Sequence, residues 1–204
     1  WRKIGAAAVA ILALCATAAA AQAPPASAAY DGLKVVFCGT SGPLPVKDRA
    51  KACTAIQAGG ALYLVDVGPE STENLLAWRL PLATARAVFI THLHSDHIGE
   101  VGEFNMQSWV AGRSRPLVLV GPPGVERLAA GFNEAYAVDH GFRNAHHEHG
   151  AVKLPIAAGL LKAQIAPPPA SGSAVVWRAN GLTVTAILVH HNPVAPAYAY
   201  RFDY

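Results

Sequence analysis

The sequence predicts a layered α/β fold, because paired strand-like segments come first and strand-like and helix-like segments then alternate. Strands are predicted where short apolar or β-branched runs are bounded by glycine, proline or polar turns. By this criterion they lie at residues 33–37, 53–58, 61–67, 86–90, 116–120, 175–178, 182–189 and 197–203. Helices are predicted at residues 70–79, 99–111 and 124–137.

Turn residues justify the connections between these elements. Gly59 and Gly60 form a two-residue turn that joins the second and third strands into a hairpin. The Gly-Pro-Pro-Gly loop at residues 121–124 introduces the third helix, since proline and glycine suit a helix entry. Residues 139–174 carry the weakest pattern, and residues 167–172 are predicted to be a surface loop or arm. A hydrophobic fraction of 52% with only 14% charged residues excludes a disordered chain.

One short segment concentrates metal-binding chemistry. Residues 91–97 read Thr-His-Leu-His-Ser-Asp-His and lie between an apolar strand and a helix. His92 and His94 can face one ion, while Asp96 and His97, past the turn, face a second. Imidazole nitrogens with a carboxylate oxygen suit zinc better than calcium or magnesium. The alternative is a solvated histidine-rich loop, which this spacing and context disfavour.

The motif resembles that of the metallo-β-lactamase superfamily, and the resemblance covers residues 33–204. Other segments are similar to its ribonuclease Z and arylsulfatase-like branches. These are the glycine loop at 37–45 with Arg49, the Asp-x-Gly strand end at 62–68, the loop at 121–124, and the strand at 184–191 running into 198–202. The resemblance implies an αββα sandwich, of which this chain carries the N-terminal portion only.

The resemblance also implies a pair of zinc ions that lower the pKa of a shared water and stabilise the departing leaving group. It assigns His92, His94 and His191 to the first ion, and Asp96 and His97 to the second. His190 is the alternative third ligand of the first ion, although the register of the family strand favours His191.

Three further side chains receive roles around these ligands. Asp96 is also the candidate catalytic residue, as an acceptor of a proton from the attacking water. Asp66 is expected to orient a ligand imidazole from the end of a buried strand, the alternative being a turn-capping role before Gly68. Thr91 is expected to serve the geometry of the loop.

A second histidine cluster contains His146 and His147, with Arg143 nearby. A solvated polar loop is the favoured interpretation. The functional alternative is an arm that overhangs the metals, on which Arg143, His146 and His147 contact substrate and Arg143 pairs with an anionic group. Asp139 and His140 are open to the same two interpretations.

The first residues are typical of an export signal. Arg2 and Lys3 precede an apolar stretch at 4–16, and residues 21–23 read Ala-Gln-Ala. The apolar stretch is too short for a stable membrane span. The expected organisation is therefore a signal peptide at 1–23, a lead-in at 24–32 and the metallo-β-lactamase-like domain at 33–204, in a periplasmic or secreted protein.

Export permits a disulfide between Cys38 and Cys53, which fall at facing strand ends. Two small buried hydrophobic residues are the equally supported alternative. The resembling family continues past residue 202 to a Gly-Asp-Thr strand end and a final histidine. The chain is therefore expected to be a fragment whose second metal site is incomplete and whose C-terminal part is missing.

These observations predict a secreted dinuclear-zinc hydrolase that uses a metal-bound hydroxide to cleave a phosphodiester or sulfate ester of a small molecule. The alternative is a ribonuclease Z-like endonuclease that processes RNA 3′ ends. The formal charge of +3 includes Arg2 and Lys3, and no basic stripe is visible, so a nucleic-acid partner is not favoured. A metal-binding protein without catalysis is the alternative of another class.

Overall fold

The structure is a computed structural model that describes residues 32–150 and 153–204. The expected signal peptide at 1–23 and the lead-in up to residue 31 lie outside the described residues. Within those two described ranges, no helix has the length and apolar character needed to cross a membrane.

Six strands form the larger sheet in sequence order: β1 Lys34–Gly39, β2 Cys53–Ala58, β3 Ala61–Val65, β4 Ala85–Phe89, β5 Leu117–Gly121 and β6 Leu161–Ile165. The first three are antiparallel, and β3 to β6 are parallel. The β2–β3 hairpin turns at Gly59 and Gly60, which both have positive φ (55° and 70°), as the tight turn requires. Parallel pairing places the carboxyl ends of β3, β4 and β5 at one edge.

Three strands form the smaller sheet, which is antiparallel throughout: β7 Ser173–Ala179, β8 Leu182–His191 and β9 Val194–Asp203. Six helices occur among the described residues: α1 Ser71–Ala77, α2 Ser95–Ile98, α3 Val101–Val110, α4 Val125–Ala135, α5 Ala137–His147 and α6 Ile156–Gly159. The strand and helix segments expected from the sequence are all present, with ends that differ by a few residues.

Two hydrophobic cores define the layers. Alternate residues of the larger sheet, such as Leu64 and Val88, pack with Leu75 of α1 and Phe104 of α3. On the other face of that sheet, residues such as Phe89 pack against the smaller sheet in a second core. Side chains of a strand point alternately to its two faces, so one sheet serves both cores. Helices, larger sheet and smaller sheet thus form successive layers, and the layered α/β prediction is confirmed.

Three elements between residues 137 and 165 were not expected. Only Tyr136 separates α4 from α5, so no proline or glycine marks the boundary between them. Strand β6 is an edge strand whose alternation is masked by Lys162 and Gln164, and α6 is a single turn. The loop predicted at 167–172 contains no helix or strand.

A disulfide joins the end of β1 to the start of β2. Cys38 and Cys53 are bonded, with their Cα atoms 5.0 Å apart, and both are buried. Of the two alternatives left open by the sequence, the structure therefore contains the disulfide. It holds together the strands on either side of the glycine loop.

Candidate metal centre

The carboxyl-terminal edge of the parallel strands carries the candidate site. Asp66 directly follows β3, and the segment 91–97 follows β4. Backbone hydrogen bonds hold the two loops together, from Asp66 N to Phe89 O (3.0 Å) and from Val67 N to His97 O (2.7 Å). Residues far apart in sequence are therefore brought to one edge by strand pairing.

Gly68 allows this close approach. A Cβ atom at this position would lie 2.1 Å from the carbonyl oxygen of Asp96 and 2.5 Å from Cβ of Lys51. Neither neighbour can move freely, because one is backbone and the other belongs to a largely buried residue. The glycine of the Asp-x-Gly segment is thus required for the backbone of the metal-binding loop to pack against the strand end.

Three histidines converge at this edge. Ligand atoms of His92, His94 and His191 all lie within 4.8 Å of one another. His92 Nε2 is 3.1 Å from His94 Nδ1, and the ring centroids of His92 and His191 are 4.6 Å apart. The loop after β4 thus supplies two imidazoles and the end of β8 supplies the third.

His92 is the buried member of this cluster, with 5% of its surface exposed. Burial, together with the nearby imidazoles of His97, His191 and His94, lowers the pKa of His92 to about 4 against the opposing charge of Asp66. The imidazole is therefore neutral at physiological pH, which is the form that binds a metal.

Asp96 and His97 lie beside the cluster. His97 Nε2 is 3.6 Å from Asp96 Oδ2, while His97 Nδ1 is 2.7 Å from Asp66 Oδ2. Burial opposes protonation of His97, but the hydrogen bond and charge of Asp66, with the charge of Asp96, outweigh it and raise its pKa. Because Asp66 takes one ring nitrogen, the other is directed toward the Asp96 carboxylate.

Thr91 does more than shape the loop, which was the role expected from the sequence. Its amide donates a hydrogen bond to Asp66 Oδ1 (2.8 Å) and its hydroxyl donates to Asp66 Oδ2 (2.7 Å). The hydroxyl also lies 3.0 Å from His92 Nδ1. Thr91 therefore fixes the Asp66 carboxylate and contacts the histidine next to it.

Glu100 was missed altogether by the sequence reasoning. Its carboxylate accepts hydrogen bonds from the backbone amides of Thr72 (2.8 Å) and Glu70, at the start of α1. Acidic groups stabilise a helix start in this way, so Glu100 ties α1 to the segment that follows the metal-binding loop. Its position three residues after His97 was the only available signal.

The smaller sheet is attached to the same loop. Tyr198 N donates to Thr91 O (2.9 Å), and the Tyr200 hydroxyl donates to Ile90 O (2.8 Å). These bonds bring the end of β8 to the site. There the structure places His191 in the histidine cluster and leaves the exposed His190 outside it. The β8–β9 pairing is irregular between Val189 and His191, so strand alternation does not extend to this pair.

The second histidine group lies on a helix. His146 and His147 form the last turn of α5, so their assignment to a polar loop is wrong. Helix α5 packs on α4 and α6, and Arg143 Nε is 2.8 Å from Asp139 Oδ2, an ion pair within the helix. The role of Arg143, His146 and His147 in substrate contact stays a prediction.

His140 belongs to the protein interior. It is 2% exposed, and its ring meets that of Trp109 edge-on with centroids 4.9 Å apart. Of the two interpretations, solvated loop and substrate contact, the structure supports neither for this residue.

The donor set fits zinc. Three imidazoles with converging nitrogens match the ligands of tetrahedral zinc sites, which hold a fourth position for water or substrate. The Asp96–His97 pair offers two more donors of the types zinc prefers, and the hydrogen bond from His97 to Asp66 is the outer support that such imidazoles usually have. The ligand assignments themselves stay predictions.

Comparison with known proteins places this site in context. The family model of the metallo-beta-lactamase superfamily matches residues 46–181. A protein named ribonuclease Z from Mycobacterium marinum is 34% identical over 179 residues, covering 84% of this chain and 59% of that protein. The chain thus spans about three-fifths of the length of this curated relative.

Solved structures show the same fold. Human tRNase Z, short form, superposes with a TM-score of 0.62 at 18% identity, over 83% of this chain and 64% of the human chain. The metallo-beta-lactamase fold protein YhfI from Bacillus subtilis gives a TM-score of 0.57 at 21% identity, over 85% of this chain and 59% of that chain. With its Asp-x-Gly strand end, its histidine-rich loop and its two facing sheets, the chain belongs to the metallo-β-lactamase superfamily.

Proposed function

We propose that the chain is part of a metal-dependent hydrolase that cleaves phosphodiester bonds in RNA, as a ribonuclease Z does. The observation that carries the proposal is the convergence of His92, His94 and His191 beside the Asp96–His97 pair. Such a donor set holds zinc, and the superfamily fold presents it at an open strand edge. The proposal concerns the whole gene product, because this chain spans only 59% of the ribonuclease Z that it matches.

In this proposal the histidines and Asp96 would bind the metal, and Asp66 orients one of them. Zinc bound here would lower the pKa of a water molecule and polarise a phosphoryl oxygen. His92, His94 and His191 would hold one ion, and Asp96 and His97 would contribute to a second. Asp66 keeps Nδ1 of His97 occupied, so that Nε2 faces the site. The buried carboxylate of Asp96 would accept the proton of the attacking water.

The relatives support the proposed substrate more strongly than composition does. The sequence alone favoured a small-molecule ester, because residues 1–23 resemble a signal peptide, whereas transfer-RNA maturation is cytoplasmic, and because no basic stripe was visible. The 34% identity to a ribonuclease Z supports the alternative, RNA, more strongly than it supports a sulfate or small phosphate ester. The binding surface for RNA need not lie within the residues compared, because they span only 59% of that relative.

A substrate panel tests this proposal. The full-length gene product should cleave a transfer-RNA precursor at its 3′ side and lose that activity with a chelator, regaining it with zinc. Bis(4-nitrophenyl) phosphate and 4-nitrophenyl sulfate serve as small-ester comparisons. Cleavage of the small esters with no cleavage of RNA would overturn the RNA assignment, and bound zinc without turnover of any substrate would overturn the enzyme assignment.

One observation favours a second candidate, an exported hydrolase of small phosphate or sulfate esters. The Cys38–Cys53 disulfide is a feature of oxidising compartments, and residues 1–23 have the composition of a signal peptide. N-terminal sequencing of the protein recovered from its native host tests it. A mature end near Pro24 supports export, whereas recovery of intact cytosolic protein that retains Arg2 and Lys3 contradicts it.

A further inference from the structure

A cavity of about 400 Å³ opens at the edge of the larger sheet opposite the metal centre. It lies between the two sheets at the amino-terminal ends of the parallel strands. Its volume falls in the range of about 300–1,000 Å³ that small-molecule pockets occupy. Three cationic side chains and one indole ring face it, namely Arg86, Arg115, Lys162 and Trp177.

An irregularity in β4 directs Arg86 into this cavity. Leu62 pairs with Ala85 and the next residue, Tyr63, pairs with Ala87, so Arg86 is an extra residue in the strand. Ala87 packs in the core between the sheets, and its neighbour Arg86 lines the cavity on that same side. In a regular strand, consecutive side chains would point to opposite faces, and bulges re-aim side chains in this way.

A second bulge, on the facing sheet, does the same for Trp177. Val175 pairs with Thr185 and Trp177 with Val184, which leaves Val176 as the extra residue of β7. Val176 and Trp177 both pack against the inter-sheet core. The indole is held edge-on to Tyr63 and Phe89, with ring centroids 6.2 and 6.1 Å away. These contacts hold the indole in the wall of the cavity.

The remaining two cations come from β6 and from the residue pair before β5. Lys162 pairs with Val118, and Val118 pairs with Ala87, so these three residues share one face of the sheet. The backbone of Arg115 is held by a hydrogen bond that its carbonyl accepts from the buried Arg113 guanidinium. Arg113 is itself held by Ala158 O (2.7 Å) and Asn105 Oδ1 (2.6 Å).

These cations have no partner within the protein segments described, 32–150 and 153–204. None of Arg86, Arg115 and Lys162 forms an ion pair or a side-chain hydrogen bond there. The lining contains no aspartate or glutamate. Like charges brought together without a counter-charge repel, so an anion that enters between them gains from all three.

We propose that this cavity binds a small organic oxyanion, in which a phosphate or sulfonate-type group meets Arg86, Arg115 and Lys162 and a flat apolar group lies against Trp177. Guanidinium groups match the oxygens of such anions in paired hydrogen bonds. The site is separate from the metal centre, because β4 runs between them. Strand β4 has five residues that rise about 3.3 Å each, so the two ends of the strand lie roughly 13 Å apart.

Titration calorimetry on the full-length, zinc-loaded protein tests the proposal. The probes are adenosine 5′-monophosphate and benzenesulfonate, which represent a nucleotide and an aryl source of the same chemistry. Adenosine and inorganic phosphate are the two halves of the nucleotide, and inorganic sulfate is the anion-only counterpart of benzenesulfonate. At least one of these two conjugates should bind more tightly than its own counterparts. Arg86→Gln and Lys162→Gln should each weaken that binding roughly tenfold, and Trp177→Leu should weaken the conjugate but not phosphate.

Arg127→Gln is the matched control, since it removes an equal charge from an exposed position on α4. It should leave binding unchanged, and all variants should retain wild-type hydrolysis at the metal centre. Three results would overturn the proposal: no saturable binding of either conjugate, binding insensitive to Arg86→Gln and Lys162→Gln, or an effect of these variants on RNA binding alone. The third would instead assign the cations to a polynucleotide.

Discussion

The carboxylate of Asp66 lies 2.7 Å from Nδ1 of His97, and the same carboxylate accepts two hydrogen bonds from Thr91. Asp66 itself has a φ of 57°, in the left-handed region that aspartate and asparagine tolerate better than most residues. One buried acidic group therefore sets both the turn of the backbone and the orientation of an imidazole.

Asp66→Asn should weaken zinc binding about 10–100-fold, the usual cost of losing the outer partner of a ligand histidine. Asparagine keeps the backbone conformation and the size of the side chain, so the change removes mainly the charge. Zinc affinity is measured by competition with a chromogenic chelator, and folding by circular dichroism. Glu134→Gln, at an exposed position of α4, is the control. Unchanged zinc affinity in a folded Asp66→Asn protein would contradict the role of Asp66.

His191→Ala and His190→Ala should differ sharply although the residues are adjacent. His191 lies with His92 and His94, whereas His190 does not. Loss of His191 should reduce bound zinc and lower turnover by more than about 100-fold, beyond the cost of losing an outer partner. His190→Ala should stay within about twofold of the parent. Zinc content by elemental analysis and initial rates measure both effects, and the reverse ranking would refute the assignment.

Removing the disulfide should destabilise the domain. Cys38 and Cys53 are 15 residues apart in sequence, and a loop of that length closed by a disulfide contributes about 3 kcal/mol to the free energy of unfolding. A double change of both cysteines to serine should lower the urea midpoint accordingly. Thiol titration of the unfolded parent, with and without reductant, provides the control. A parent that shows free thiols at both positions without reductant would contradict the bond.

Stability should fall in mild acid because of His140. Burial lowers the pKa of His140, an effect that Asp139 opposes and that Arg113 and Arg143 reinforce. A histidine with a pKa lower in the folded than in the unfolded protein stabilises the fold above the unfolded value of about 6.5. That contribution is lost as the pH falls below 6.5 toward the folded value.

His140→Gln should therefore flatten the dependence of the urea midpoint on pH between 7 and 5. His149→Gln, at an exposed position near the end of α5, should preserve the parental slope. Equal slopes for the parent and His140→Gln would show that His140 does not titrate with folding.

The sequence was sufficient for most of the strands and for the loop that carries His92, His94, Asp96 and His97. Apolar runs, glycine turns and the spacing of the histidines are local features. They can be recognised in the sequence without knowledge of the fold. Residues 137–165 were harder to predict, because α5 and β6 lack a strong period or a boundary residue. Their structure depends on packing against α4 and β5.

Only the tertiary structure decided which distant groups meet. Strand pairing brings Asp66 to His97, and the anchoring of β9 on Thr91 and Ile90 brings His191 to the cluster. The bulges at Arg86 and Val176 have no sequence signal, since an extra residue in a strand is defined by its partner strand. The spacing of residues along the chain can identify candidate metal ligands. Whether those ligands lie close enough to bind one ion depends on contacts between strands that are far apart in sequence.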